Sequence, residues 1–181
     1  MTDIVPFDSL NPRQKEEAAD VLNLALAPLS AAYREIEAAK AEVDSFFNNP
    51  ERFGLAAVED GHVVGWIGGI RAYDHGWELH PLCVHPKHQR RGLGRLLVRA
   101  LEDSARAENI GTLYLGADDE FGGTTASGVD LFADLASHIR NVSVMTSHLL
   151  AFYRKVGFTV VGLLPDVNGP GKPDILLAKR I

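Results

Sequence analysis

The hexapeptide Gln89-Arg90-Arg91-Gly92-Leu93-Gly94 places two glycines among arginines, and Arg95 follows at once. Glycine lets a backbone come close to a ligand, and the start of a helix presents N–H groups that have no intrahelical acceptor. Those donors, the helix dipole and the guanidinium groups together suit a pyrophosphate. The stretch has no Gly-Lys-Ser/Thr ending, so it is not a nucleoside-triphosphate loop. It also lacks the third glycine of the dinucleotide fingerprint. What remains is a phosphate cradle without a magnesium-binding hydroxyl.

Such a cradle needs a strand before it and a helix after it. The apolar-rich run Trp77–Val84 supplies the strand, and His85-Pro86 stops it, because proline cannot continue a central ladder. Leu93, Leu96, Leu97, Ala100 and Leu101 repeat at helical spacing and predict a helix over Gly92–Glu108. Upstream, Ile4–Phe7 reads as an opening strand, and Asp8-Ser9 or Asn11, with Pro12 next, caps a helix. The apolar stripe of that helix is Ala18, Val21, Leu22, Ala25 and Leu29, with Pro28 ending or bending it. A second helix is expected over Ser30–Phe47. Strands Phe53–Val58 and Val63–Ile70 meet at Asp60-Gly61, a hairpin turn signal. Tyr73-Asp74-His75-Gly76 turns the chain into Trp77–Val84, and Thr112–Gly116 follows the glycine-motif helix as a strand. A later helix and two strands complete the order. The pattern predicts an α+β fold with helices layered on a mixed central sheet, in one domain spanning residues 1–181. Residues 117–147 interrupt it as an acidic insertion carrying Asp118, Asp119, Glu120, Asp130 and Asp134. A loop of that length is usually functional, and a substrate-facing wall or lid is the expected role.

Composition narrows the function. A formal charge of −6 offers nothing broad to attract nucleic acid and favours cationic small molecules or basic partners. No run is long and apolar enough to span a bilayer, and the first ten residues do not resemble a signal peptide. The single cysteine, Cys83, cannot form an internal disulfide and fits a cytoplasmic protein. The histidines show no metal-ligand spacing, so no metal is expected.

Gln89-x-x-Gly92-x-Gly94 resembles the acetyl-CoA signature of the GNAT superfamily of N-acetyltransferases. Phe152-Tyr153-Arg154-Lys155-Val156-Gly157-Phe158 is similar to that superfamily's last helix and following strand, and the two lie in the family's order. The strings Trp77-Glu78-Leu79-His80-Pro81-Leu82, Tyr114-Leu115-Gly116 and Gly171-Lys172-Pro173-Asp174-Ile175 look closer to bacterial aminoglycoside 6'-N-acetyltransferase-like members. One departure stands out: Thr146 occupies the place, seven positions before Tyr153, where the family often has asparagine.

The resemblance implies a three-layer α/β/α acyl-CoA N-acyltransferase fold with splayed strands. It further implies acetyl-CoA as co-substrate and direct transfer to a primary amine in a ternary complex. Gln89, Arg90, Arg91, Gly92, Leu93, Gly94 and Arg95 would hold the coenzyme. The backbone of Leu82 and Val84 would hold the thioester carbonyl and pantetheine arm. Cys83 lies in the same run and counts with these coenzyme-holding residues, its side chain expected to be small, buried and inert. An alkylammonium with a pKa of about 10 needs a base at neutral pH. Glu78, eleven positions before Gln89, holds the offset of a catalytic glutamate in protein-acetylating relatives, and His80 that of a glutamate in some aminoglycoside-acetylating ones. In a regular strand the two share a face. Asp118 and Asp119, expected just past the strand, would bind ammonium groups or act as the base. Tyr153 has the position of the acid that donates to the departing sulfur. The acceptor expected is an aminoglycoside-like or polycationic small molecule. A protein or peptide acetyltransferase and a non-catalytic acyl-CoA sensor are the rivals, and family habit allows a homodimer.

Overall fold

Asn11 accepts the N–H of Gln14 while the Gln14 side chain accepts the N–H of Asn11, a reciprocal cap that starts the first helix with Pro12 in its first turn. The computed structural model describes residues 2–181. They form two units, residues 2–113 with Ile181 and residues 114–180.

The first unit holds β1 (Thr2–Pro6), α1 (Pro12–Leu26), α2 (Ile36–Asn48), β2 (Arg52–Glu59), β3 (His62–Tyr73), β4 (Gly76–Val84) and α3 (Leu93–Ala107). Its strands pair antiparallel in the order β1-β2-β3-β4. Asp60 and Gly61 both take positive φ, as a tight hairpin between β2 and β3 requires. Trp66 of β3 faces α1 and α2. Its ring lies 5.0 Å from Phe7 and 5.4 Å from Phe46, and its indole N–H donates to the Ala18 carbonyl at 2.9 Å. Gly69, three residues on, faces Phe53 and Leu101 of α3 instead. Strand alternation therefore clothes both faces of this sheet with helices.

Among the boundaries that differ from the sequence pattern are three near the N-terminus. The opening strand ends at Pro6, and Phe7 turns inward to join the aromatic core. The first helix stops at Leu26, leaving Leu29 40% exposed rather than on the apolar stripe. The second begins at Ile36 rather than Ser30. There the Ser30 hydroxyl accepts from the Ala32 N–H at 3.3 Å and caps a single 3-10 turn, Ala31–Tyr33. A local side-chain bond has outcompeted helix continuation.

The second unit carries the rest of β5 (Thr112–Asp118), then α4 (Leu135–Asn141), α5 (Leu150–Lys155), β6 (Thr159–Leu164) and β7 (Asp174–Arg180). β7 lies between β5 and β6, and β6 pairs with it antiparallel. The acidic insertion is folded. It contains α4, capped by Asp134 accepting from Ser137 N–H at 3.1 Å, and a bridge between Thr124 and Val144. Ala126, Leu131 and Val142 are buried within it.

Candidate active site

The direction of the β4 donors follows from one hydrogen bond. His85 N–H donates to Val64 O at 2.9 Å, and the register Gly65↔Val84 makes Val64 and His85 direct opposites. In an antiparallel ladder hydrogen-bonded and non-hydrogen-bonded pairs alternate. Val84 and Leu82 therefore occupy non-hydrogen-bonded positions, and their N–H groups point away from β3. Cys83 lies between them, opposite Trp66. Its backbone faces β3, and its thiol, 2% exposed, donates to Trp66 O at 3.8 Å. Burial pushes that thiol well above its ordinary pKa, with the Trp66 bond opposing only in part. Cys83 thus offers neither thiolate nor outward N–H to a coenzyme, which corrects its inclusion among the coenzyme-holding residues.

Between Leu79 and Leu82 the β4 strand holds one residue more than β3 does, since Gly69 pairs with Leu79 and Ile67 with Leu82. This is the irregularity expected from Pro81, which cannot donate to a ladder. The His80 carbonyl is pressed against Gly68, where any Cβ would collide with it and with the Phe46 ring. Glu78 and His80 are half-buried and alternate with the buried Trp77, Leu79 and Pro81, so they share a face.

His80 is not isolated. Its Nε2 lies 3.2 Å from the Tyr33 hydroxyl and 3.4 Å from Glu42 Oε1. Glu42 also accepts from Arg52 at 2.6 Å. Burial raises the Glu42 carboxyl, but the hydrogen bond and charge of His80, joined by Arg52, outweigh it and hold the group below the ordinary carboxylate range. Neither Tyr33 nor Glu42 carries any signal in sequence, because each meets His80 only through the fold.

After β4 the chain makes a 3-10 turn, Pro86–His88, capped by His85 Nδ1 accepting from the Lys87 N–H at 3.2 Å. Burial, with His88 and Lys87 adding to it, holds His85 below the ordinary imidazole value. Gln89 Nε2 then donates back to Val84 O at 3.1 Å. Arg90 and Gly92 take φ of 61° and 88°, and Gly92 becomes the N-cap of α3 without any side-chain cap. The first helical bond runs from Leu96 N–H to Gly92 O. The N–H groups of Gly92, Leu93, Gly94 and Arg95 are therefore left to an external acceptor. A Cβ on Gly92 would meet nothing within 4 Å, so the chain is uncrowded at this residue. Arg91 is held by Glu59 at 3.2 Å. Arg90 and Arg95 are exposed beside the same turn. Arrangement and charge fit a diphosphate.

In the second unit, Tyr153 lies on α5 at 5% exposure, in edge-on contact with Phe152 at 5.3 Å and Phe158 at 5.6 Å. The α5 start is fixed by His148, whose Nε2–H donates to the Asp118 carbonyl at 3.0 Å while Nδ1 accepts from Leu150 N–H at 3.1 Å. His148 had no motif to mark it. Asp118 ends β5, which is longer than the sequence pattern suggested. Its exposed carboxylate accepts from Asn168 at 2.6 Å. Asp119 requires a correction. It is 1% exposed and accepts from Gly123 N–H, Thr124 N–H and the Thr124 hydroxyl at 2.6, 2.9 and 2.7 Å. A carboxylate so satisfied organises its own loop and does not meet an ammonium. Among the described residues no cluster of three or more His, Cys, Asp or Glu could hold a metal ion, and no helix is long and apolar enough to cross a membrane.

The model of the acetyltransferase (GNAT) family matches residues 19–122. The chain is similar to the crystal structure of an aminoglycoside 6'-N-acetyltransferase complexed with coenzyme A. Identity is 37%, over 98% of this chain and 96% of that one, with a TM-score of 0.89. The aminoglycoside 6'-N-acetyltransferase from Enterococcus faecium is also 37% identical over the same shares, with a TM-score of 0.87. An aminoglycoside 6'-acetyltransferase type Ii is 34% identical over 98% of this chain and 96% of that chain, with a TM-score of 0.72. No curated protein sequence matches the chain significantly. The chain belongs to the GNAT family of acetyltransferases. It has that family's mixed α/β fold and is an acetyl-CoA-dependent N-acetyltransferase.

Proposed function

We propose that this acetyltransferase moves the acetyl group of acetyl-CoA onto a primary amine of an aminoglycoside-like, polycationic small molecule, by direct transfer in a ternary complex. The observation that carries the acceptor is the 37% identity, over nearly the whole of both chains, to aminoglycoside 6'-N-acetyltransferases. The negative formal charge of −6 supports a cationic acceptor.

In this reading the α3 N-terminus, with Arg90, Arg91 and Arg95, takes the diphosphate, and Gln89 sets the loop against β4. Leu82 and Val84 offer their outward N–H groups to the pantetheine arm and the thioester carbonyl, where fixed donors stabilise the charge that develops on oxygen. Glu78 removes a proton from the acceptor ammonium, the neutral amine attacks the thioester carbon, and the carbon–sulfur bond breaks. Tyr153 gives its proton to the departing thiolate and is restored by the surplus proton that the nitrogen carries after attack. Asp118 attracts the acceptor's remaining charges.

A thiol-release assay with acetyl-CoA across aminoglycosides, polyamines and peptides tests the proposal. Turnover with kanamycin-class compounds, with acetate placed on the 6'-amine by mass spectrometry, is the expected result. Acetylation confined to peptides overturns it.

A further inference from the structure

Transfer to an ammonium must release one proton, and a carboxylate that takes it has to pass it on before the next turnover. Glu78 has such an onward acceptor on its own face of β4, namely His80. Among the described residues the hydrogen-bond and ion-pair partners of the His80 ring lie at Nε2: Tyr33 Oη at 3.2 Å from the 3-10 turn, and Glu42 Oε1 at 3.4 Å from α2. Which ring nitrogen carries the proton is set by the bond the other one makes. A carboxylate accepts only, so Glu42 favours the proton on Nε2 and leaves Nδ1 bare. Arg52 of β2 anchors the arrangement by donating to both Glu42, at 2.6 Å, and the Ser45 hydroxyl, at 2.9 Å. The ring is 37% exposed, so one side of it remains open while Nε2 is engaged.

We propose that Glu42, assisted by Tyr33, is a positioning residue that fixes His80 in the Nε2–H form, so that Nδ1 receives the acceptor's proton from Glu78. This rests on the acetyltransferase reading above and extends it. The acceptor N–H bond breaks and a Glu78 O–H bond forms. A water between the two side chains takes that proton and passes one of its own to Nδ1, and the resulting imidazolium faces the Glu42 carboxylate until solvent removes the proton. Glu42 of α2 and Tyr33 of the turn meet the ring, Arg52 of β2 stands behind Glu42, and Glu78 shares the strand face. Glu42 is held ionised by the same neighbours, which suits a carboxylate that must stay an acceptor.

Nitrogen-15 NMR of the histidine rings in the full-length protein reads the tautomer directly, and steady-state kinetics with kanamycin reads the consequence. The wild type is expected to show His80 as Nε2–H. Glu42→Leu, which removes the acceptor, is expected to shift the ring toward Nδ1–H and to lower kcat about a hundredfold. The KM for acetyl-CoA should be unchanged. Glu42→Gln keeps an acceptor oxygen, so it should retain the tautomer and restore much of kcat. Tyr33→Phe should give a smaller loss than Glu42→Leu. A wild-type ring found as Nδ1–H overturns the inference without any variant having to fold. So does a Glu42→Leu protein with wild-type tautomer and kcat. If no amine is acetylated at all, the acceptor reading fails, while the ring spectra still decide this one.

Discussion

The side-chain amide of Gln89 donates to the carbonyl of Val84 at 3.1 Å, on the edge of β4 that faces away from β3. One residue thereby ties the glycine turn to the strand whose outward donors are assigned to the thioester. Gln89→Ala removes the tie without touching the core, since Gln89 is exposed. A hydrogen bond of this kind contributes about 1 kcal/mol, so coenzyme-A affinity should weaken about fivefold to tenfold. Titration calorimetry checks it, and thermal denaturation should show a loss of no more than about 1 kcal/mol.

Gly92 sits at φ 88° with open space where a Cβ would stand. The conformation, not crowding, is what demands glycine there. Gly92→Ala should therefore cost about 1–2 kcal/mol of stability, and Gly92→Asn less, because asparagine tolerates the left-handed region. Urea denaturation measures both. Coenzyme-A binding should fall in the same order, since the four unpartnered N–H groups begin at this residue.

Glu59 collects Thr2, His88 and Arg91 around one carboxylate. The Thr2 hydroxyl contributes most to holding the group below its ordinary pKa. Desolvation opposes it, and Arg91 and His88 add to the depression. A depressed carboxylate contributes stability that is complete above its ordinary value of about 4.5 and is lost as pH falls through the lower folded value. Glu59→Gln should thus be less stable than the wild type at pH 7. The gap should close below about pH 4, a trend denaturation curves across that range would reveal.

Much of this was legible before any coordinates. The Gln89–Gly94 turn declares itself because glycine and arginine at fixed spacing leave few alternatives, and Asp60-Gly61 marks its hairpin for the same reason. Glu78 and His80 could be put on one face because strand periodicity is strict. The partners of His80 could not, because Tyr33 lies 47 residues away in sequence and meets the ring only through packing. Leu29 looked like core by periodicity, but Ser30 bonds its local backbone and ends the pattern. Composition marked the insertion as an acidic wall, yet it could not separate a carboxylate facing solvent from one turned inward. Asp118 and Asp119 are adjacent letters with opposite fates.

That pair supplies a sharp test. Asp119 is buried and satisfies two N–H groups and a hydroxyl, so Asp119→Ala leaves three donors without an acceptor. Stranding them should cost about 3 kcal/mol or more, with faster hydrogen exchange over residues 119–126. The Asp118 carboxylate is exposed and, among the described residues, accepts only from the Asn168 side chain. Asp118→Asn removes a charge that nothing buried depends on, so stability should stay within about 0.5 kcal/mol of wild type. If Asp118 attracts a polycationic acceptor, its variant should raise the acceptor's KM several-fold, and the effect should fade as salt screens the attraction. Coenzyme binding should be untouched. Equal KM values for wild type and Asp118→Asn at low salt would remove Asp118 from the acceptor site and leave the insertion a purely architectural part of the fold.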